Sequence, residues 1–234
     1  MKWLTVDTKK GTRCRVLEGG SGAPVVFFHG AGGLLTENPF LDGLAQHYQV
    51  FAPEWPGYGE STGDELLEDM LDFALHGWDL VDALGLRRPH VIGHSMGGMV
   101  GRYYVSLAGG DGIVRNLITI GSPHTGTEIS RIGIGHPTRE LVLGSPLLTR
   151  LAAAPPPART RVTAVWSRGD ALVPGARQLA LPGAEVVMFP DLGHIALLAS
   201  RRVARAVIDR LSGRVPASAA ASGAEPAVVT GRRS

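Results

Sequence analysis

The chain has 234 residues, 44% hydrophobic and 19% charged, with a formal net charge of +2. That length suits a single α/β unit and is enough to bury a sizeable core. The near-neutral balance, with Lys and Arg scattered, argues against a nucleic-acid partner bound through a basic patch, and the single cysteine excludes an intramolecular disulfide.

In chain order, Met1–Lys10 carries three lysines and no apolar run behind them. No signal peptide is therefore expected, and no run has the length of a membrane span. The expected location is cytoplasmic, or secreted if a leader has been removed. Trp3–Asp7 and Arg13–Glu18 read as a short antiparallel start. Cys14, inside the second, has no acid–base company nearby in sequence and reads as a small buried hydrophobe. Val25–His29 is a short apolar run closed by Gly30, as a buried strand would be. Asn38-Pro39 opens a helix with Phe40, Leu41, Leu44, Ala45 and Tyr48 on one face. Gln49–Ala52 is the next strand. Asp64–Leu84 has the periodicity of one long amphipathic helix, with Leu67, Met70, Leu71, Ala74, Trp78, Val81 and Leu84 as its stripe, ended by Gly85.

The second half continues the alternation. His90–Ile92 reads as a strand and Met96–Ala108 as a helix stopped by Gly109-Gly110. Val114–Ile120, Arg161–Trp166 and Glu185–Phe189 read as strands, and about Ser200–Leu211 as the last helix. Strands alternating with helices predict a mostly parallel, twisted sheet of about seven or eight strands, covered on both faces. Residues 1–211 form the expected domain. Thr125–Thr160 is longer than one crossover requires, and its apolar residues (Ile129, Ile132, Ile134, Leu141, Leu147, Leu148, Leu151) predict a small cap. Ser212–Ser234, rich in Ala, Ser, Gly and Pro, predicts a flexible tail.

Gly93-His94-Ser95-Met96-Gly97 is a G-x-S-x-G pentapeptide between a short strand and a helix, the context that motif needs. A serine on so tight a turn projects its hydroxyl above the sheet, and the flanking glycines leave the backbone room. A helix starting at Ser95 sets it at a positive dipole end, which favours developing negative charge. A serine hydroxyl becomes a nucleophile when a base takes its proton and a carboxylate orients that base. Three histidines follow Ser95. His194, in Asp191-Leu192-Gly193-His194 after a late strand, is in the expected place, whereas His124 and His136 come earlier. Asp170, at the exit of Arg161–Ser167, is the best acid candidate. Glu54 precedes the serine, and Asp191 is close enough to His194 to serve as a turn residue. Donors for an oxyanion are expected from the Met96 N–H and, in the loop His29-Gly30-Ala31-Gly32-Gly33, from the Ala31 N–H. Leu34, Leu35, Val173 and Ile195 are candidates for an apolar pocket, with core packing an equal reading for each.

These residues resemble the α/β-hydrolase superfamily from about Val25 to Leu211. Ala52-Pro53-Glu54-Trp55-Pro56-Gly57-Tyr58-Gly59-Glu60-Ser61 is similar to that family's turn after its fourth strand, with Glu54 where an Asp is usual. Gly101-Arg102-Tyr103-Tyr104, Ile118-Thr119-Ile120-Gly121-Ser122-Pro123-His124-Thr125-Gly126-Thr127 and Leu192-Gly193-His194 resemble bacterial triacylglycerol lipases and esterases. The resemblance implies an α/β-hydrolase fold and hydrolysis of a small-molecule or lipid ester by Ser95, His194 and Asp170, without metal or cofactor. C–C hydrolysis, lactone opening or acyl transfer on the same residues stays open, as does a ligand-binding protein that hydrolyses poorly.

Overall fold

The computed structural model describes residues 1–35, 37–128, 139–178 and 181–214. Its centre is an eight-stranded sheet in the order β1-β2-β4-β3-β5-β6-β7-β8. The strands are β1 (Lys2–Asp7), β2 (Arg13–Gly19), β3 (Pro24–Phe28), β4 (Gln49–Pro53), β5 (His90–His94), β6 (Asn116–Ile120), β7 (Arg161–Ser167) and β8 (Glu185–Phe189). β1 and β2 pair antiparallel, β2 joins β4 antiparallel, and every pairing from β4 through β3 to β8 is parallel. The helices are α1 (Pro39–Ala45), α2 (Met70–Ala83), α3 (Met96–Leu107), α4 (Pro146–Ala153), α5 (Gly175–Gln178), α6 (Ala196–Ala199) and α7 (Arg201–Leu211).

The period of two along each central strand divides the core between the two faces. Val26, Phe28, Val91 and Leu117 point to one side, where they meet buried residues of α2, α3 and α4. Val25, Phe27, Ile92 and Ile118 point to the other and meet α1, α6 and α7. Trp55, just past β4, is fully buried between Phe28 and Phe73, at ring separations of 4.8 and 5.5 Å. Its indole N–H donates to the His29 carbonyl at 3.2 Å, so burial leaves no polar atom orphaned there.

The structure departs from the sequence reading at several points. The long helix over Asp64–Leu84 is broken: Asp64–Leu66 is one 3₁₀ turn, and α2 begins at Met70. The Asp69 carboxylate accepts the Asp72 N–H at 2.9 Å, which makes Asp69 an N-cap in the middle of an unbroken apolar rhythm. Leu71, assigned to the apolar stripe, is 38% exposed. Strand β5 runs on to His94, and β6 starts only at Asn116, Val114 making an isolated bridge with Asp111. Cys14 is buried as expected, but His76 of α2 brings its Nε2 within 3.4 Å of the sulfur. Burial pushes that thiol up to about 11, so it stays protonated and packs as an apolar group.

In 125–160, Leu147, Leu148 and Leu151 of α4 bury themselves in the cluster that also holds α3. Arg102, in the middle of α3, is 2% exposed and donates to the carbonyls of His124 (2.9 Å) and Leu151 (3.0 Å), tying this segment to α3. Burial draws its guanidinium down to about 10. Ile129, Ile132, Ile134 and His136 lie outside the described residues, as does the tail from 215 onward. Among the described residues no helix is long and apolar enough to cross a membrane.

Candidate active site

Parallel strands release their following loops at one edge of the sheet, where ligands of open α/β sheets gather. The exits of β3, β5, β6, β7 and β8 therefore converge, and they carry Gly30–Leu35, Ser95, Gly121–Thr127, Asp170 and Asp191–Ile195 respectively.

Ser95 joins β5 to α3 with φ +54° and ψ −121°. A positive φ is costly for a residue with a Cβ and persists only where the surroundings impose it. The imposing contacts are tight. The Ser95 N–H donates to the Ile120 carbonyl at 2.8 Å. A Cβ on Gly97 would lie 2.2 Å from the Phe28 carbonyl oxygen, so α3 rests directly on β3 at a distance only glycine allows. Met96 is the first residue of α3, where the N–H has no partner inside the helix.

The chain brings Asp170 and His194 together from different strand exits. The His194 Nδ1–H donates to Asp170 Oδ2 at 2.7 Å, with both side chains buried. The other carboxylate oxygen, Oδ1, accepts the N–H groups of Leu172 (3.0 Å) and Val173 (2.9 Å). This carboxylate is held on both sides, so the imidazole it orients cannot drift. Gly121 sits beneath the pair at φ +58°, and a Cβ there would stand 3.2 Å from both Asp170 Oδ2 and His194 Nδ1. That explains why the β6 exit opens on glycine.

His94 was missed as a site residue in the sequence reading. Its Nε2–H donates to the His194 carbonyl at 3.1 Å, and the two rings lie 4.6 Å apart. Burial, then the charge of His194, pulls the His94 imidazole down to about 3, so it stays neutral and keeps that donor. The turn that carries Ser95 and the loop that carries His194 are thus joined by a side chain inside the pentapeptide. A histidine there, with another 100 positions later, gave no spacing signal to read. Among the described residues, the hydrogen bonds of His194 run to Asp170 and, through its carbonyl, to His94.

Ser95 and His194 open onto one cavity of about 260 Å³. Its remaining lining is Gly30, Ala31, Gly32, Gly33, Leu35, His94, Met96, Pro123, Thr127, Leu141, Leu172, Val173, Ile195 and Leu198. Of the sequence candidates, Ala31, Met96, Leu35, Val173 and Ile195 lie on this wall, and Asp170 stands behind His194. Leu34 does not line it. It packs against the cluster of Val25, Phe27 and α1, because the turn closed by Gly33 N–H to Gly30 carbonyl (3.1 Å) sends adjacent side chains to opposite sides. Pro123, Leu141 and Leu172 join the wall from loops whose direction periodicity could not supply, and Leu198 joins it from α6.

The rejected acids have structural partners. Glu54 is 5% exposed, pairs with Arg15 at 3.3 Å and accepts the Glu60 N–H at 3.3 Å. Asp191 makes an exposed two-pronged pair with Arg202 at 2.7 and 3.1 Å. His124 is buried with its Nε2 2.9 Å from Thr119 Oγ1, and burial lowers it to about 3.

A family model described as alpha/beta hydrolase fold matches residues 23–140. The dihydrolipoyllysine-residue acetyltransferase component of the acetoin cleaving system of Cupriavidus necator is 29% identical over 237 aligned residues, covering 80% of this chain and 63% of that protein. The 2-hydroxy-6-oxo-6-(2'-aminophenyl)hexa-2,4-dienoic acid hydrolase of Metapseudomonas resinovorans is 31% identical over 124 residues, covering 51% of this chain and 42% of that one. The chain therefore spans less than two thirds of either relative's length. The structure of an esterase from Rhodococcus sp. ECU1013 superposes with a TM-score of 0.70 at 18% identity, covering 92% of this chain and 100% of that one, a likeness of fold.

Proposed function

Since the chain belongs to the alpha/beta-hydrolase fold family, we propose that it hydrolyses carboxylic esters with neutral, apolar acyl groups, using Ser95 as nucleophile, His194 as base and Asp170 as the orienting acid. The observation that carries this reading is the buried 2.7 Å bond from Asp170 to His194, set on the same cavity as a serine forced to φ +54°. Asp170 holds the Nδ1 proton, which leaves Nε2 of His194 basic. That nitrogen takes the hydroxyl proton as Ser95 Oγ attacks the ester carbonyl carbon, substrate binding drawing together two side chains that share the cavity wall. The carbonyl oxygen becomes an oxyanion facing the N–H groups of Met96 and Ala31, each worth on the order of 3 kcal/mol in the transition state. Collapse expels the alcohol, which takes the proton from His194. Water, deprotonated by His194, then attacks the acyl-enzyme and releases the acid.

A second reading, hydrolysis of an unsaturated oxo acid by the same residues, is favoured by the Metapseudomonas resinovorans relative. Its acid group would need a cation or several donors in the pocket. Beyond Ser95, His94 and His194, the described lining supplies glycines, apolar side chains and Thr127, which favours the neutral ester. The test is turnover of p-nitrophenyl butyrate by wild type and Ser95→Ala. Wild-type turnover, lost by at least about 10³-fold in a variant that melts like wild type, supports the reading. Turnover retained in Ser95→Ala, or a wild type active only on oxo acids, overturns it.

A further inference from the structure

The opposite end of the sheet, where the parallel strands begin, holds a second cavity lined by Ala23, Pro24, Arg87, Arg88, His90 and Arg115. Three arginines line it, and among the described residues none of them enters an ion pair. Like charges brought together without an anion repel one another, so such a cluster asks for a counter-charge from outside the chain. The wall between them is a donor too. His90, at the head of β5, is 2% exposed and its Nδ1 accepts the Asn116 side-chain amide at 2.7 Å, which puts the ring proton on Nε2. Burial, then the positive charges of Arg115 and Arg161, keeps this imidazole neutral, down to about 4.

The backbone is also bent to serve this place. Arg88 has φ +46°, one of two non-glycine residues with positive φ among the described residues, the other being Ser95. It stands directly before Pro89, whose carbonyl accepts the Arg115 N–H at 2.9 Å. That bond holds the turn bearing Arg87 and Arg88 against the residue bearing the third guanidinium. A positive φ is costly for an arginine, and here it falls in the turn that brings Arg87 and Arg88 to the cavity wall.

We propose that this cavity is a binding site for a small soluble phosphoryl dianion. Three guanidinium forks and one neutral N–H donor offer more donors than a single carboxylate can accept, whereas a phosphoryl group presents several oxygens and nearly two negative charges. The site lies at the far end of the sheet from Ser95 and does not depend on the ester reading.

The test titrates the full chain with inorganic phosphate and with pyrophosphate at constant ionic strength, by calorimetry and thermal unfolding. Saturable one-to-one binding with Kd of about 1 mM or tighter is expected, with melting temperature rising as ligand is added. Arg115→Gln should weaken binding at least about tenfold, as expected for loss of a charged contact. Arg88→Gly removes a guanidinium while relieving the positive φ, so it should fold at least as well as wild type and still bind more weakly. No saturable binding, an equal response to chloride, or unchanged affinity in Arg88→Gly would overturn the proposal. Sedimentation with phosphatidate vesicles, without binding of free phosphate, would overturn the small-molecule assignment by moving the anion to a lipid headgroup.

Discussion

Asp170→Asn separates orientation of the base from support of the fold. Asparagine keeps an oxygen where Oδ1 now accepts the Leu172 and Val173 N–H groups, at 3.0 and 2.9 Å, so the loop keeps its acceptor. Its amide nitrogen replaces Oδ2, 2.7 Å from His194 Nδ1, and sets a donor against a donor. The imidazole relieves the conflict by moving its proton to Nε2, the nitrogen that receives the serine proton in the proposed reaction. Loss of the correct tautomer lowers kcat by about 10⁴, or ~5 kcal/mol of transition-state stabilisation, with little change in stability. Asp170→Ala should lose similar activity and, in addition, about 1–3 kcal/mol of stability, because it strips the shared acceptor from two backbone amides. Stopped assays on p-nitrophenyl butyrate and denaturant melts of both variants distinguish the effects. An Asp170→Asn enzyme within tenfold of wild-type kcat would refute the orienting role, and one as unstable as Asp170→Ala would refute the account of the loop.

Two further outcomes concern the fold. Trp55→Ala empties a fully buried site between Phe28 and Phe73 and leaves the His29 carbonyl without its indole donor, so it should cost about 3–5 kcal/mol in urea unfolding. A loss below about 1 kcal/mol would mean the site collapses without penalty. Burial pulls His29, His76 and His90 down to about 4 and His94 and His124 to about 3, from an ordinary 6.5. Below pH 6.5 the unfolded chain binds protons that the folded chain refuses. Stability is therefore full near neutral pH and falls with acid, by about 1.4 kcal/mol per pH unit for each histidine still neutral in the fold. Urea midpoints measured from pH 7.5 down to pH 5 should fall steeply, and a flat profile would contradict the neutral burial of these rings.

Sequence pattern and structure agree where local chemistry decides the outcome. The pentapeptide around Ser95, the glycine after β3 and the loop after β8 carry their own geometric requirements, and each stands at a strand exit. Chain order pointed to Asp170 and His194, whose side chains the fold brings within 2.7 Å, while Glu54, which precedes Ser95, pairs with Arg15, and Asp191, three residues from His194, pairs with Arg202. What stayed hidden depends on contacts between distant segments. The break before α2 was masked because Leu66, Leu67, Met70 and Leu71 keep a helical rhythm across it, although Asp69 with Asp72 three residues on could have been read as a cap. Leu34 and Leu35 are neighbours with opposite fates, set by a turn whose direction no periodicity encodes. The His94 tie and the buried Arg102 bonds each join segments that only the folded sheet brings together.

The nucleophile is tested most directly by treating the folded protein with a fluorophosphonate probe and mapping the adduct by peptide mass spectrometry. A single label on Ser95, absent when Asp170→Asn or His194→Ala is treated for the same time, is the expected result. A protein that takes no label, or takes it on another residue, would contradict the assignment of Ser95.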